Sequence, residues 1–209
     1  MSGEKLANVP EVGSQIRNAR QQRALTIQQL SVLSGVSSSA ISKIENGKAS
    51  ASFDTLISLS HALAISFEAL FGKPQAPSTA LRAITREADL ARFSTDQYDY
   101  EVHAQELANK KMIPLVMEIT NRVFDSGTKW SAHPGEEFIY IVSGELNFHT
   151  EMYTPTRLKA GESVYIDSGM PHAFVSISDD NAKIVSVCLD GAAKSTEAFV
   201  IARTKTTSA

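Results

Sequence analysis

The spacing of apolar residues changes character near residue 72, and a single packed layer cannot accommodate both patterns. Before that point apolar side chains recur at helical intervals: Val12, Ile16 and Ala19, then Leu30 and Leu33, Ile41 and Ile44, and Phe53, Leu56, Ile57 and Leu63. After "FGKPQAPSTA" the runs are short and alternating or β-branched, as in "YDYEVHA", "IPLVMEI", "EFIYIV", "SVYID", "AFVSI" and "KIVSVCL". The expected class is therefore multidomain α + β. An all-α head of residues 1–72 and a Pro-containing linker of 73–85 lead into an all-β tail of 86–209, whose end "ARTKTTSA" is expected to fray. A length of 209 residues suits two small domains.

Charge and cysteine usage narrow the class further. A net charge of −3 gives no bulk attraction to nucleic acid or to an anionic membrane. The sole cysteine, Cys188, excludes an internal disulfide and suits a reducing compartment. No apolar run reaches the ~18 residues of a membrane span, and the first residues hold no apolar core with a cleavage site. A soluble, cytoplasmic protein is the expectation.

The head carries explicit helix punctuation. Thr26 and Gln29 have capping-box spacing, which predicts a helix from Ile27 to about Ser34, stopped at Gly35 by a left-handed residue. Ser37 is the expected N-cap of the next helix, through "SSAISKIEN" to Gly47. Two short helices joined so tightly cross steeply. On the second, Ala40, Ile41 and Ile44 fall to one side and Ser38, Ser39, Ser42, Lys43 and Asn46 to the other. Any amphipathic helix has a polar outer face, but this one is short-chained and almost free of acid, so it can approach base edges and phosphates closely.

The stretch from Glu11 to Gly72, "LTIQQLSVLSGVSSSAISKIENGK" above all, resembles the Xre-type helix-turn-helix of phage repressors. The resemblance implies a five-helix domain in which Ser38, Ser39 and Lys43 reach the major groove, while Gln28, Asn46 and Lys48 lie near the DNA backbone. It also pairs Arg20 with Glu45 as a structural contact. Six Lys/Arg against five Asp/Glu in this domain mean that binding rests on placement and on a homodimer, not on net charge.

In the tail, "SAHPGEEFIYIVSG" and "GESVYIDSGMPHAFVS" resemble the two motifs of the cupin fold, a jelly-roll double-stranded β-helix. The motif positions hold Ser131, His133, Glu137 and Gly144, then Gly161, Asp167, Gly169 and His172, so Ser replaces the first His and Asp replaces the Pro. The resemblance brings His133, Glu137 and His172 together. Two imidazoles and a carboxylate can hold one divalent ion (Fe, Zn, Ni or Mn) with positions left open. They can equally serve as hydrogen-bonding groups around an organic ligand. Trp130, Tyr140 and Phe174 flank the motifs and are candidates to line such a pocket. His61, His103, His149 and Cys188 read as packing or surface residues.

Two function classes follow. One is a transcription regulator that binds an operator and senses a small-molecule effector in the barrel. The other is a non-haem iron enzyme, because the chain also resembles hydroxypropylphosphonate epoxidase, which joins the same two domains and lacks the same His. That resemblance places its iron ligands at His133, Glu137 and His172, and its substrate-contacting Tyr and Arg at Tyr100 and Arg92. Its substrate-contacting Lys and Asn match Ala24 and Trp130, which cannot replace them. The serine-rich, acid-poor helix face therefore favours the regulator: DNA and an effector are the expected partners, no membrane is involved, and no residue is assigned a catalytic role.

Overall fold

The computed structural model describes residues 9–72, 81–107 and 110–190. The head contains α1 (Val9–Gln22), α2 (Ile27–Ser34), α3 (Ser38–Glu45) and α4 (Phe53–Ala62), followed by a 3-10 helix at Phe67–Phe71. The fifth helix of the expected five is thus not an α-helix. Its backbone bonds run three residues back, from Ala69 to Ser66 and from Gly72 to Ala69, and Gly72 ends it in the left-handed region after a single short run. Most of the expected linker and the "ARTKTTSA" end lie outside the described residues.

Local chemistry sets the helix boundaries. Thr26 and Gln29 close the reciprocal capping box, with the Gln29 N–H donating to Thr26 Oγ1 at 3.1 Å and the Thr26 N–H to Gln29 Oε1 at 2.8 Å. Gly35 ends α2 at φ 73°, and Ser37 Oγ accepts the Ala40 N–H to start α3. Ile16, Leu30, Ile41, Leu59, Leu63 and Leu70 form the fully buried center of the head. Leu33, expected to pack with Leu30, is 59% exposed: α2 is only two turns long, and its buried side is filled by Leu30. Arg20 grips Glu45 through two charge-assisted hydrogen bonds (2.7 and 2.8 Å) and donates a third to the Leu25 carbonyl at 2.8 Å. Helices α1 and α3 are thereby fixed to each other.

Nine strands follow among the described residues: β1 (Ala91–Ser94), β2 (Tyr98–Val102), β3 (Met112–Ile119), β4 (Gly135–Ser143), β5 (Glu145–Thr150), β6 (Thr156–Lys159), β7 (Ser163–Asp167), β8 (His172–Ser176) and β9 (Ala182–Asp190). A six-stranded sheet in the order β1-β2-β3-β9-β4-β7 faces a three-stranded sheet in the order β6-β5-β8, and every strand pairing is antiparallel. The two-residue period sends Glu137, Ile139 and Ile141 of β4 inward, together with Ala182, Ile184, Ser186 and Cys188 of β9. Gly144 turns β4 into β5 at φ 75°, where a Cβ would come within 2.6 Å of Ser178 Oγ and 2.9 Å of Ala182 Cα.

The head docks on the barrel through a continuous aromatic seam. Phe71 stacks on Phe93 (5.4 Å between ring centroids), Phe93 on Tyr100 (4.3 Å), Tyr100 on Phe53 (6.2 Å), and Phe53 meets His133 edge-on (5.2 Å). Lys110 pins the other end, with Nζ 2.6 Å from Glu68 Oε1 and further bonds to the His103 and Ala104 carbonyls.

Replacing Arg20 with Ala strands the buried Glu45 carboxylate and is expected to cost about 3 kcal/mol of stability in chemical unfolding. Arg20→Lys, which loses the two-pronged geometry, should recover only part of that loss.

Candidate functional site

Helix α3 presents the outer face that its sequence implies. Ser39, Lys43, Asn46 and Lys48 are exposed, as is Gln28 on α2, while Ser38 and Ser42 are half-buried. Asn46 folds back to donate to the Ser42 carbonyl at 2.7 Å, which fixes the end of the helix. Ser37 and Ser39 hydroxyls lie 3.3 Å apart. The inner face, Ile41 and Ile44, packs into the head.

In the barrel, three elements bring His133, Glu137 and His172 together. His133 sits in the segment before β4, where its N–H donates to the Ser168 carbonyl at 2.9 Å. Glu137 points inward from β4, and His172 opens β8. Both imidazole Nε2 atoms lie 3.3 Å from Glu137 Oε2, and all three side chains are almost wholly buried. The Ser186 hydroxyl donates to Glu137 Oε1 at 2.6 Å, which leaves Oε2 without a hydrogen-bond partner. His172 Nδ1 lies 2.9 Å from the Met170 carbonyl, an arrangement that places the proton on Nδ1 and turns Nε2 toward Glu137. At Asp167, the position of the motif Pro, the carboxylate accepts the Gly169 N–H at 2.9 Å and forms the turn that delivers His172.

The other expected pocket residues divide. Tyr100 and Phe174 line the pocket; Trp130, 41% exposed, lines an adjoining cleft with Asp54 and Ser131 instead. Tyr140 does not reach it, because it alternates with Ile139 and Ile141 and so faces outward. Arg92 does not either: its guanidinium is held by Glu87 and Glu101 on the partly exposed face of β1. The epoxidase-type alignment of this Arg therefore has no counterpart in the geometry. His149 stacks on Phe124 (4.0 Å between centroids), away from the triad.

Comparison with known families decides the domain types. A helix-turn-helix model matches residues 16–70, and a cupin-domain model matches residues 124–188. The chain is a helix-turn-helix domain joined to a cupin domain. It is similar to the HTH-type transcriptional regulator PuuR of Escherichia coli, 28% identical over 188 residues that span 89% of this chain and 96% of that protein. It also resembles the (S)-2-hydroxypropylphosphonic acid epoxidase of Streptomyces wedmorensis, 26% identical over 100 residues, 46% of this chain and 50% of that enzyme. The fold of an HTH_3 family transcriptional regulator from Vibrio cholerae superposes with a TM-score of 0.59 at 17% identity, covering 87% of this chain and 96% of that one.

The cupin site contains residues that the sequence did not single out. Phe53 and Asp54, from the helix-turn-helix domain, close its mouth. Asp54 accepts the Ser131 hydroxyl at 2.7 Å and the Ala132 N–H at 3.3 Å, so the Ser in place of the motif His holds the other domain. Burial raises the Asp54 pKa despite these bonds and the nearby imidazoles. Cys188, read from the sequence as a small core residue, is buried as expected but faces the site, within 4.8 Å of the His133 and Glu137 donor atoms. Its cross-strand partner is Glu137, a relation that only the β4–β9 register reveals. Among the described residues the donor atoms of His133, Glu137 and Cys188 lie within 4.8 Å of one another, a set that could hold a divalent ion, and His172 joins it through Glu137, with Nε2 3.3 Å from Oε2.

In the metal-free protein these charges also govern stability. Burial alone would raise the Glu137 pKa, yet the two imidazoles hold it well below its ordinary 4.5. Burial would lower that of His172, but Glu137 outweighs it and the net shift is upward from 6.5. The carboxylate's contribution is full above pH 4.5 and is lost as pH falls. The imidazolium's is full below pH 6.5 and is lost as pH rises through the raised value. Chelator-stripped protein should therefore show its largest contribution from this pair between pH 4.5 and 6.5. Glu137→Gln should flatten the melting profile on both sides, and an unchanged profile would contradict the pairing.

Proposed function

We propose that the chain is a sequence-specific DNA-binding transcription regulator whose cupin barrel, residues 86–209, responds to a small-molecule effector. Helix α4 carries the barrel's state to the DNA-binding face. The observation behind this reading is the position of Phe53 and Asp54, which belong to the same compact domain as α3 and sit on His133 and Ser131.

Magnitudes support the coupling. The pocket around the triad has room for only about 10 Å³ while Phe53 is in place, enough for an ion or a single water. An organic effector that enters from the side of the helix-turn-helix domain to reach His133, Glu137 and His172 displaces the Phe53 ring. Returning that ring to water costs about 1.5–3 kcal/mol, comparable to the ~1–3 kcal/mol typical of coupling between sites. An open cleft of about 900 Å³, lined by Phe148, Tyr153, Leu158, Val164, Tyr165 and Met170, lies beside the pocket. Phe148 stands between the two, its ring 6.5 Å from that of His172.

In a homodimer the two α3 helices would address half-sites about 34 Å apart, with Lys43 and Ser39 toward the bases and Lys48, Asn46 and Gln28 toward the phosphates. An iron-dependent oxygenase is the second reading, and it rests on the convergence of His133, Glu137 and His172.

Selection from a random duplex pool should yield a defined operator. Lys43→Ala should weaken its binding by about 1–3 kcal/mol if the side chain reads a base, or lower the salt slope if it contacts a phosphate. Unchanged affinity in both Lys43→Ala and Ser39→Ala would remove α3 from the interface. Asp54→Ala should shift the emission of Trp130, the sole tryptophan, to the red and change operator affinity without touching DNA. If both readouts stay at wild-type values, the proposed route between the domains is wrong. Oxygen uptake tied to a substrate by the Fe(II)-loaded protein would favour the enzyme.

A further inference from the structure

The barrel motif's first His is replaced by Ser131, and the Ser131 hydroxyl is committed to Asp54. A fourth donor from that position is therefore out of reach. The opposite wall of the pocket carries one instead. Cys188 projects inward from β9 directly across from Glu137, 3% exposed, with its sulfur 3.5 Å from the Ser186 hydroxyl that also holds Glu137. Glu137 Oε2, buried, lies 3.3 Å from both Nε2 atoms and has no other hydrogen-bond partner.

We propose that Cys188 supplies a thiolate to a metal site beside His133 and Glu137, whose donor atoms lie within 4.8 Å of it and of one another, with His172 reaching the site through its 3.3 Å approach to Glu137 Oε2, and that the site takes a borderline-soft divalent cation of the zinc class.

Charge balance favours this set. The three-residue set alone leaves a buried site one unit positive, since a 2+ ion meets a single carboxylate. Adding a thiolate brings the sum to zero, and an uncompensated charge at this depth is costly. On binding, the S–H bond of Cys188 breaks, its electron pair goes to the metal, and the proton leaves to solvent; no oxidation state changes. Donor type agrees with the charge count, because thiolate and imidazole together select zinc-like ions in tetrahedral geometry. Size agrees as well, since the closed pocket admits an ion and little else. The proposal concerns the barrel alone and does not depend on DNA binding.

Cobalt(II) reports the ligand set spectroscopically. Full-length protein, stripped with chelator, reduced and loaded with Co(II) without oxygen, should bind one ion per chain. It should show a near-ultraviolet thiolate-to-cobalt charge-transfer band and intense tetrahedral d–d bands, both removed by one equivalent of Zn(II). Cys188→Ser should abolish the charge-transfer band and weaken Co(II) binding by at least the ~10–100-fold that loss of an outer-shell partner costs. His172→Ala should weaken binding while keeping the band. Wild-type protein that binds Co(II) without the charge-transfer band, or that fails to bind it while folded by circular dichroism, would overturn the proposal. That readout on the wild-type chain is decisive even if a variant does not fold.

Discussion

The contact of Phe53 and Asp54 with the mouth of the barrel is the constraint on which the remaining architecture depends. It joins a helix that begins with a capped turn to a pocket that would otherwise be open to water. Ser52 caps α4 and fixes the direction in which Phe53 leaves the helix. The ring then completes an aromatic column from Phe71 through Phe93 and Tyr100 to His133. Closure excludes solvent from Glu137, and in that dry setting its attraction to two imidazoles outweighs the cost of burying it. The same burial raises Tyr98 to about 12 and pushes Tyr100 and Cys188 well above their ordinary values. The pocket's electrostatics are therefore a property of both domains together.

Local signals in the sequence carried over almost without loss. The capping box at Thr26 and Gln29, the left-handed Gly35 and the N-cap at Ser37 need only a few neighbouring residues to act, and each stands where its spacing puts it. The triad was legible because motif spacing encodes which strand faces turn inward, and Arg20–Glu45 because the helix-turn-helix resemblance specified it. What the sequence hid depends on pairing between distant strands or on docking between domains. Cys188 becomes a neighbour of Glu137 only through antiparallel register. Asp54 and Phe53 read as ordinary helix-start residues until α4 is set against the barrel. Tyr140 flanks a motif, which says nothing about facing, and alternation along β4 turns it outward; Arg92 comes from the epoxidase resemblance, and ion pairing on β1 holds it elsewhere.

The chain is similar to a transcriptional regulator along most of its length and to an epoxidase along about half of it, and the geometry around His133, Glu137 and His172 bears on both classes. A substrate-processing site needs room beside its ligands. Here the room is taken by Phe53, and Arg92 is held by carboxylates on another face. A sensing site needs a part that is present in one state and absent in another, and a single aromatic ring supplied by a separate domain meets that description.

The backbones of Ser131 and His172 exchange both of their hydrogen bonds, each 2.9 Å long. One residue holds the DNA-binding domain through its hydroxyl, and the other offers its ring to the pocket. Coupled so tightly, the two cannot translate independently. Any shift of the His172 backbone is passed through this bridge to Ser131. The Ser131 hydroxyl in turn donates to Asp54 at 2.7 Å, so the bridge ends on the DNA-binding domain. The barrel thus behaves less like a container beside the DNA-binding domain than like a rigid arm, with the pocket at one side of a single β-bridge and the domain contact at the other.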